Sequence, residues 1–201
     1  MDIEFDDIFK LHSKQSLPVP GALLVAKPTI TDPFFGRSVV ILVEHDIDRG
    51  SHGFIVNQPT PYTLPKLLPE VDETHEIPVF FGGPVALDRL SWIHNMGPEI
   101  IPDSIELREG LYYGGNLYAI CRYINEGRPT EGRIKFMIGQ SGWSQGQLAG
   151  EIGLHDWAVL YRFDNESVLA TATEQTWKNV VAGIGRESAL WKNWPTDLSS
   201  N

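Results

Sequence analysis

Three shortages limit what this 201-residue chain can be. It has a single cysteine, Cys121, so no disulfide can close within it. It is short of positive charge: 16 lysines and arginines stand against 26 aspartates and glutamates, for a formal net charge of -10. That sign repels phosphate backbones, whose neutralisation dominates most nucleic-acid affinity. The densest basic stretch, residues 122–133, is diluted by Glu126 and Glu131. Direct DNA binding is therefore disfavoured. Long apolar runs are also missing. None approaches the roughly 20 residues that span a bilayer, and the acidic residues 1–7 do not read as a signal peptide. These shortages predict a soluble, cytoplasmic protein with no membrane partner.

What is present is core. Apolar residues make up 42% of the chain, with six tryptophans and nine phenylalanines, enough to pack a domain without disulfide or metal staples. Strand signals fall at 22–26, 38–44, 53–57, 78–82, near 89–94, around 105–113, at 134–138 and at 157–161. The turn-rich residues 45–52 predict a hairpin between the second and third of these. Helix signals fall at 63–68, with Thr63 as cap and Pro65 in the first turn, and at 117–126. In the latter, Asn116 is the cap and Leu117, Ile120, Cys121 and Ile124 form an inward stripe. Further helices are expected at 144–152 and from a Thr173 cap to about Ile184, where Trp177, Val180, Val181 and Ile184 face inward and Gly185 ends the helix. Residues 1–16 read as a helical appendage, 17–194 as a single domain, and 195–201 as a loose tail. Strands outnumber helices, so the fold class is α/β of a mixed, α+β-like kind.

No motif carries a recognised chemistry. Ser141, in Gly139-Gln140-Ser141-Gly142-Trp143, misses the G-x-S-x-G elbow because Trp143 takes the place of the second glycine. Ser141 or Ser144 capping the next helix is the simpler reading. Cys121 on its apolar stripe reads as a buried, inert thiol. His45, Asp46, Asp48 and His52 form a solvated hairpin tip and lack the spacing of a calcium or zinc site. No catalytic residue, metal ligand or cofactor follows. Polar groups do gather at strand ends. Asp32, Arg37 and Ser38 precede one strand, Asn57 ends the next, and Gly82 and Gly83 precede Pro84. Each has a local reading: Asp32 caps its own turn or pairs with Arg37, Asn57 ties a loop, and the glycines make a sharp turn. Each also has a reading as part of a ligand or partner site. A hairpin of 38–44 with 53–57 would bring Asn57 beside Arg37 and the Asp32 loop.

Several separated motifs resemble the YqgE/AlgH family of small bacterial proteins. They are Leu23-Leu24-Val25-Ala26-Lys27-Pro28, then Asp32-Pro33-x-Phe35-x-Arg37-Ser38-Val39-Val40 and Glu44-His45. Next come Gly53-x-Ile55-Val56-Asn57-x-Pro59 and Phe81-Gly82-Gly83-Pro84-Val85. Last is Ser141-Gly142-Trp143-x-x-Gly146-Gln147-Leu148 with Glu151-Ile152 and Trp157. The likeness spans about residues 17–186. Two positions depart from the family pattern: Gln140 stands where an aromatic is common, and Ala149 where an acidic residue is common. The resemblance implies a compact domain with a strongly coiled, branching sheet and a few flanking helices, and no established activity. Members are often labelled transcriptional regulators, a label that implies little mechanism. Taken together, the expectation is a non-catalytic interaction or regulatory protein with an unknown protein or small-molecule partner. The alternative is a small-ligand binder or enzyme with a site at Asp32, Arg37, Ser38, Asn57, Gly82, Gly83 and Gln147.

Overall fold

Alternation builds the central sheet. In β1 (Leu23–Ala26) and β2 (Val39–Asp46) every apolar residue is buried, and successive side chains go to opposite faces. Leu23, Val25, Val39 and Ile41 enter one core with Trp177, Val180, Val181 and Trp191. Leu24, Ala26, Val40 and Leu42 enter a second core with Trp143, Leu148 and Trp157. A sheet buried on both faces reads as a continuous β-branched run, which is what residues 39–43 show. The computed structural model describes residues 16–171, 175–184 and 188–195. The expected N-terminal helix, the Thr173 cap, the Gly185 stop and tail residues 196–201 lie outside the described residues.

Among the described residues there are ten strands and six helices. After β1 and β2 come β3 (Gly50–Ile55), β4 (Pro59–Thr63), α1 (Leu64–Leu67), β5 (Pro78–Phe81) and β6 (Val85–His94). Then follow β7 (Ile105–Arg108), β8 (Leu111–Tyr113), α2 (Leu117–Asn125), β9 (Ile134–Trp143) and α3 (Gln147–Gly153). The chain closes with β10 (Trp157–Leu160), α4 (Glu166–Leu169), α5 (Thr176–Ala182) and α6 (Ala189–Asn193). The sheet is open and almost wholly antiparallel, in the order β10-β1-β2-β3-β9-β6-β8-β7. β5 adds to β9 in parallel and carries β4. β9 is the hub. Its first half pairs with β5 and β6, and its last three residues pair with β3.

β9 corrects one expectation. The strand does not stop at Ile138 but continues through Trp143. Ser141 is therefore neither a helix cap nor a nucleophile on a turn. It is fully buried in mid-strand opposite Gly53, and its hydroxyl donates to the Gly82 carbonyl at 3.0 Å. α3 starts later than expected, at Gln147, after a left-handed Gly146.

α2 forms as its signals require: the Asn116 side chain accepts from the Ala119 N–H at 3.0 Å. Ala119, Ile120, Cys121, Tyr123 and Ile124 are buried against Val79, Ile134 and Phe136. Leu117 departs from the expected stripe and is 37% exposed, because the buried arc of this short helix is centred on Ile120 and Ile124. Thr63 precedes α1, but its side chain makes no capping bond. Trp177 anchors α5. Its ring is buried and its Nε1 donates to the Ala26 carbonyl at 2.9 Å. β4, α4 and α6 were not legible in the sequence.

Candidate functional site

The hairpin of β2 and β3 brings Asn57 against Arg37. Asn57 Nδ2 donates to the Arg37 carbonyl at 2.9 Å, and its Oδ1 accepts from the Val39 N–H at 2.8 Å. Arg37 itself sits at φ 55, a left-handed conformation that costs a non-glycine residue about 1–2 kcal/mol. The Asn57 clasp holds it there. The neighbouring Gln58 donates to the Phe34 carbonyl at 2.7 Å, so two successive side chains stitch the 32–37 turn to the end of the hairpin.

Within that turn Asp32 accepts from the Phe34 and Phe35 N–H groups at 2.8 and 2.9 Å. Asp32 does not pair with Arg37. The guanidinium turns the other way, donates to the Trp194 carbonyl at 2.6 Å and lies 4.9 Å from the Trp177 ring centroid. Burial there pulls the Arg37 pKa below its ordinary value. Arg37 thus joins α5 and α6 to the sheet. Ser38 is fully buried, and its hydroxyl has no hydrogen-bond partner among the described residues.

Gly82 and Gly83 mark a close crossing of backbones rather than an anion cradle. The Gly82 N–H donates to Ile138 and its carbonyl accepts from Ile55. A Cβ at Gly82 would meet the Gly139 carbonyl oxygen at 2.3 Å, and Gly83 has φ +142. Gln147 belongs to a separate cluster. Its Oε1 accepts from the Ser144 N–H and hydroxyl, and its Nε2 donates to Glu151 Oε1 at 2.9 Å. Glu151 Oε2 accepts from both indoles, Trp143 at 2.8 Å and Trp157 at 2.7 Å. The Phe35 ring packs on both indoles, edge-on against Trp157 at 5.7 Å. One carboxylate therefore joins α3, β9 and β10, and through Phe35 the Asp32 turn.

One open groove borders these residues and another lies along α2. The first, about 670 Å3, is lined by Thr29, Thr31, Asp32, Glu151, Asp156 and Trp157 among others. Of the expected polar set, Asp32 alone lines it. The second, about 590 Å3, runs along α2 between Leu117, Tyr118, Cys121, Glu70 and Glu126. Cys121 is buried, and burial together with the Glu70 carboxylate pushes its thiol pKa up. That environment opposes a reactive thiolate.

Lys27, His94 and Lys135 are ionisable groups buried in the fold. His94 is fully buried on β6. The Met96 N–H donates to its Nδ1 at 3.2 Å, so Nε2 carries the proton toward the Gly114 carbonyl. Burial lowers its pKa, and both ring nitrogens are satisfied in the neutral form. Lys135 is only 2% exposed on β9. Its signal was a lone charge inside an apolar strand, Ile134-Lys135-Phe136-Met137-Ile138. Among the described residues no group of His, Cys, Asp and Glu could hold a metal ion, and no helix is long and apolar enough to cross a membrane.

Comparison with known proteins places this geometry. A profile described as AlgH-like matches residues 23–189. A UPF0301 protein of Parabacteroides distasonis is 39% identical, over 96% of both chains. The UPF0301 protein BF2109 of Bacteroides fragilis is 35% identical, over 97% of both. Among solved structures, the AlgH protein of Pseudomonas aeruginosa matches with a TM-score of 0.67 at 26% identity, over 91% of this chain and 98% of that one. Protein DIP2367 of Corynebacterium diphtheriae matches with a TM-score of 0.77 over 96% and 100%, and at 22% identity it speaks to the fold alone.

Proposed function

The chain belongs to the AlgH-like family, and for it we propose a non-catalytic, cytoplasmic interaction role. The exposed side of α2 docks a protein segment that carries an apolar side chain flanked by lysine or arginine. The observation that carries this reading is Tyr118. It is 77% exposed in the first turn of α2, beside the partly exposed Leu117, on an apolar groove with charged edges. An aromatic side chain in an apolar patch with a polar rim has the composition of an interface centre. The partner's charge follows from the rim. Glu126 pairs with Arg128 at 2.9 Å and with Arg122 at 3.9 Å, so Glu70 is the rim carboxylate outside that network, and the chain's charge of -10 adds a long-range field that steers positive segments toward it. Support also comes from Arg37, Asn57 and Gly82, whose polar groups are engaged within the fold. A regulatory role of the kind the resemblance implies would on this reading run through a protein partner, not through DNA.

The test is capture from native extract on four baits: wild type, Leu117→Glu, Tyr118→Glu, and Ile105→Glu as a surface control on β7. A carboxylate in the first turn of α2 suits the helix dipole, so both α2 variants should fold. The expected result is a protein held by wild type and Ile105→Glu and lost from both α2 variants. Its purified basic segment should bind wild type with an affinity that falls as salt rises. An identical set of proteins on all four baits would overturn the proposal, as would a partner whose contact segment is acidic.

A further inference from the structure

Lys135 shares a cavity with the ring it covers. On β9 it lies on the opposite face from Ile134 and Phe136, which pack under α2. Its Nζ donates to the Val56 carbonyl at 2.9 Å and sits 4.5 Å from the Phe80 ring centroid. No carboxylate pairs with it among the described residues. Lys135 and Phe80 both line a pocket of about 420 Å3 whose walls also include Thr130, Glu131, Leu169 and Thr171. That volume suits a small molecule. One hydrogen bond and one aromatic face are poor compensation for an ammonium removed from water. A lysine so placed is typically a structural compromise or a reactive amine.

We propose that Lys135 is a nucleophilic amine that captures a small, uncharged aldehyde or ketone as an imine in this pocket. The pocket walls define the ligand. Glu76 and Glu131 are the carboxylates among them, and they oppose carbonyl compounds that carry a carboxylate or phosphate. The Thr130 hydroxyl offers a hydrogen bond to a hydroxyl-bearing chain, and the Thr171 hydroxyl, which donates to Glu131 at 3.4 Å, can still accept one. The chemistry is balanced without a second reagent. The neutral Nζ attacks the carbonyl carbon, the C–N bond forms as the C=O π bond breaks, and one proton passes from the nitrogen to the oxygen. The carbinolamine then loses its hydroxyl and the remaining Nζ proton as water while the C–O bond breaks and the C=N bond forms, leaving the imine. Burial pushes the Lys135 pKa down to about 7, so much of the amine is in the attacking form at neutral pH. This site is separate from the α2 groove and does not rest on the docking proposal.

The test uses the full chain with glycolaldehyde as probe and sodium cyanoborohydride to trap the imine at neutral pH, followed by digestion and mass mapping. Glyoxylate serves as the anionic counterpart. Lys135 should be modified roughly tenfold faster than the exposed Lys66 and Lys192, and faster by glycolaldehyde than by glyoxylate. Unfolding in urea should abolish its advantage, and Lys135→Met should lack the fast adduct. The mapping on wild type does not depend on how the variant folds. Modification of Lys135 no faster than of Lys66 and Lys192 would overturn the proposal. Equal or faster modification by glyoxylate would do the same.

Discussion

Asn57 grips the backbone on both sides of Ser38, accepting from the Val39 N–H at 2.8 Å and donating to the Arg37 carbonyl at 2.9 Å. Asn57 and Arg37 are 20 apart in sequence, and the hairpin of β2 and β3 brings them together. The clasp also fixes the left-handed Arg37, whose guanidinium reaches Trp194. One amide thus couples the sheet to the helices packed on it.

Asn57→Ala removes both bonds and leaves two backbone groups unsatisfied, so it should cost about 1–3 kcal/mol in urea unfolding followed by tryptophan fluorescence. Asn57→Asp keeps the acceptor but sets a carboxylate against the Arg37 carbonyl. Its deficit should be large at neutral pH and shrink toward about pH 4, where a protonated carboxyl can donate again. A wild-type midpoint for Asn57→Ala would show that the clasp is not stabilising.

Gly82→Ala and Gly142→Ala separate close backbone approach from mere glycine content. A Cβ at Gly82 would meet a backbone oxygen at 2.3 Å, whereas at Gly142 its nearest neighbour is a Val85 methyl at 3.9 Å. Gly82→Ala should lose several kcal/mol or fail to accumulate as folded protein. Gly142→Ala should stay within about 1 kcal/mol of wild type. Equal stabilities would mean that the crossing of β5 and β9 tolerates a Cβ at Gly82.

The sequence made some of this legible and hid the rest for physical reasons. The β1 and β2 runs were plain because strands buried on both faces are continuously apolar. Asn116 was readable as a cap because the side-chain bond it makes is local. The proximity of Asn57 to Arg37 followed from pairing two adjacent strands. The second half of β9 was not legible, because Gly139 and Gly142 look like a turn. In the structure Gly139 leaves room for a neighbouring backbone: a Cβ there would meet the Gly83 carbonyl oxygen at 2.3 Å. β4 was hidden by Pro59 and Pro61, which suit an edge strand but resemble a loop. The direction of the Arg37 side chain was also hidden, since Trp194 lies 157 residues away.

Glu151 is the acceptor common to Trp143 and Trp157 and also receives Gln147. A carboxylate accepts at both oxygens, whereas a glutamine offers one acceptor and one donor. Glu151→Gln must therefore turn its amide group toward either the indoles or the Gln147 amide. The expected cost is about 1–3 kcal/mol, with a change in native tryptophan fluorescence before any unfolding. Gln147→Ala removes its bond to Glu151 and the two it accepts from Ser144 but leaves both indole bonds in place, so it should cost stability with little change in native tryptophan fluorescence. If Glu151→Gln kept both the wild-type spectrum and the wild-type midpoint, the carboxylate would not be organising the two rings.

Lys135 sets a pH dependence whose sign can be worked out. Its ordinary pKa is 10.5 and burial lowers the folded value to about 7. Between those values the unfolded chain binds more protons than the folded one, so stability rises with pH. The contribution is complete only above the unfolded value. It is lost as the pH falls through the folded value and is constant below it. Lys135→Met removes this titration and leaves the other groups in place. The difference in unfolding free energy, wild type minus variant, should therefore climb by about 1 kcal/mol per pH unit between roughly pH 8 and pH 10. Urea titrations of both proteins at three pH values across that window measure it. A flat difference would mean that the Lys135 amine remains fully protonated in the folded chain, and that the neutral amine needed for imine formation is scarce at pH 7.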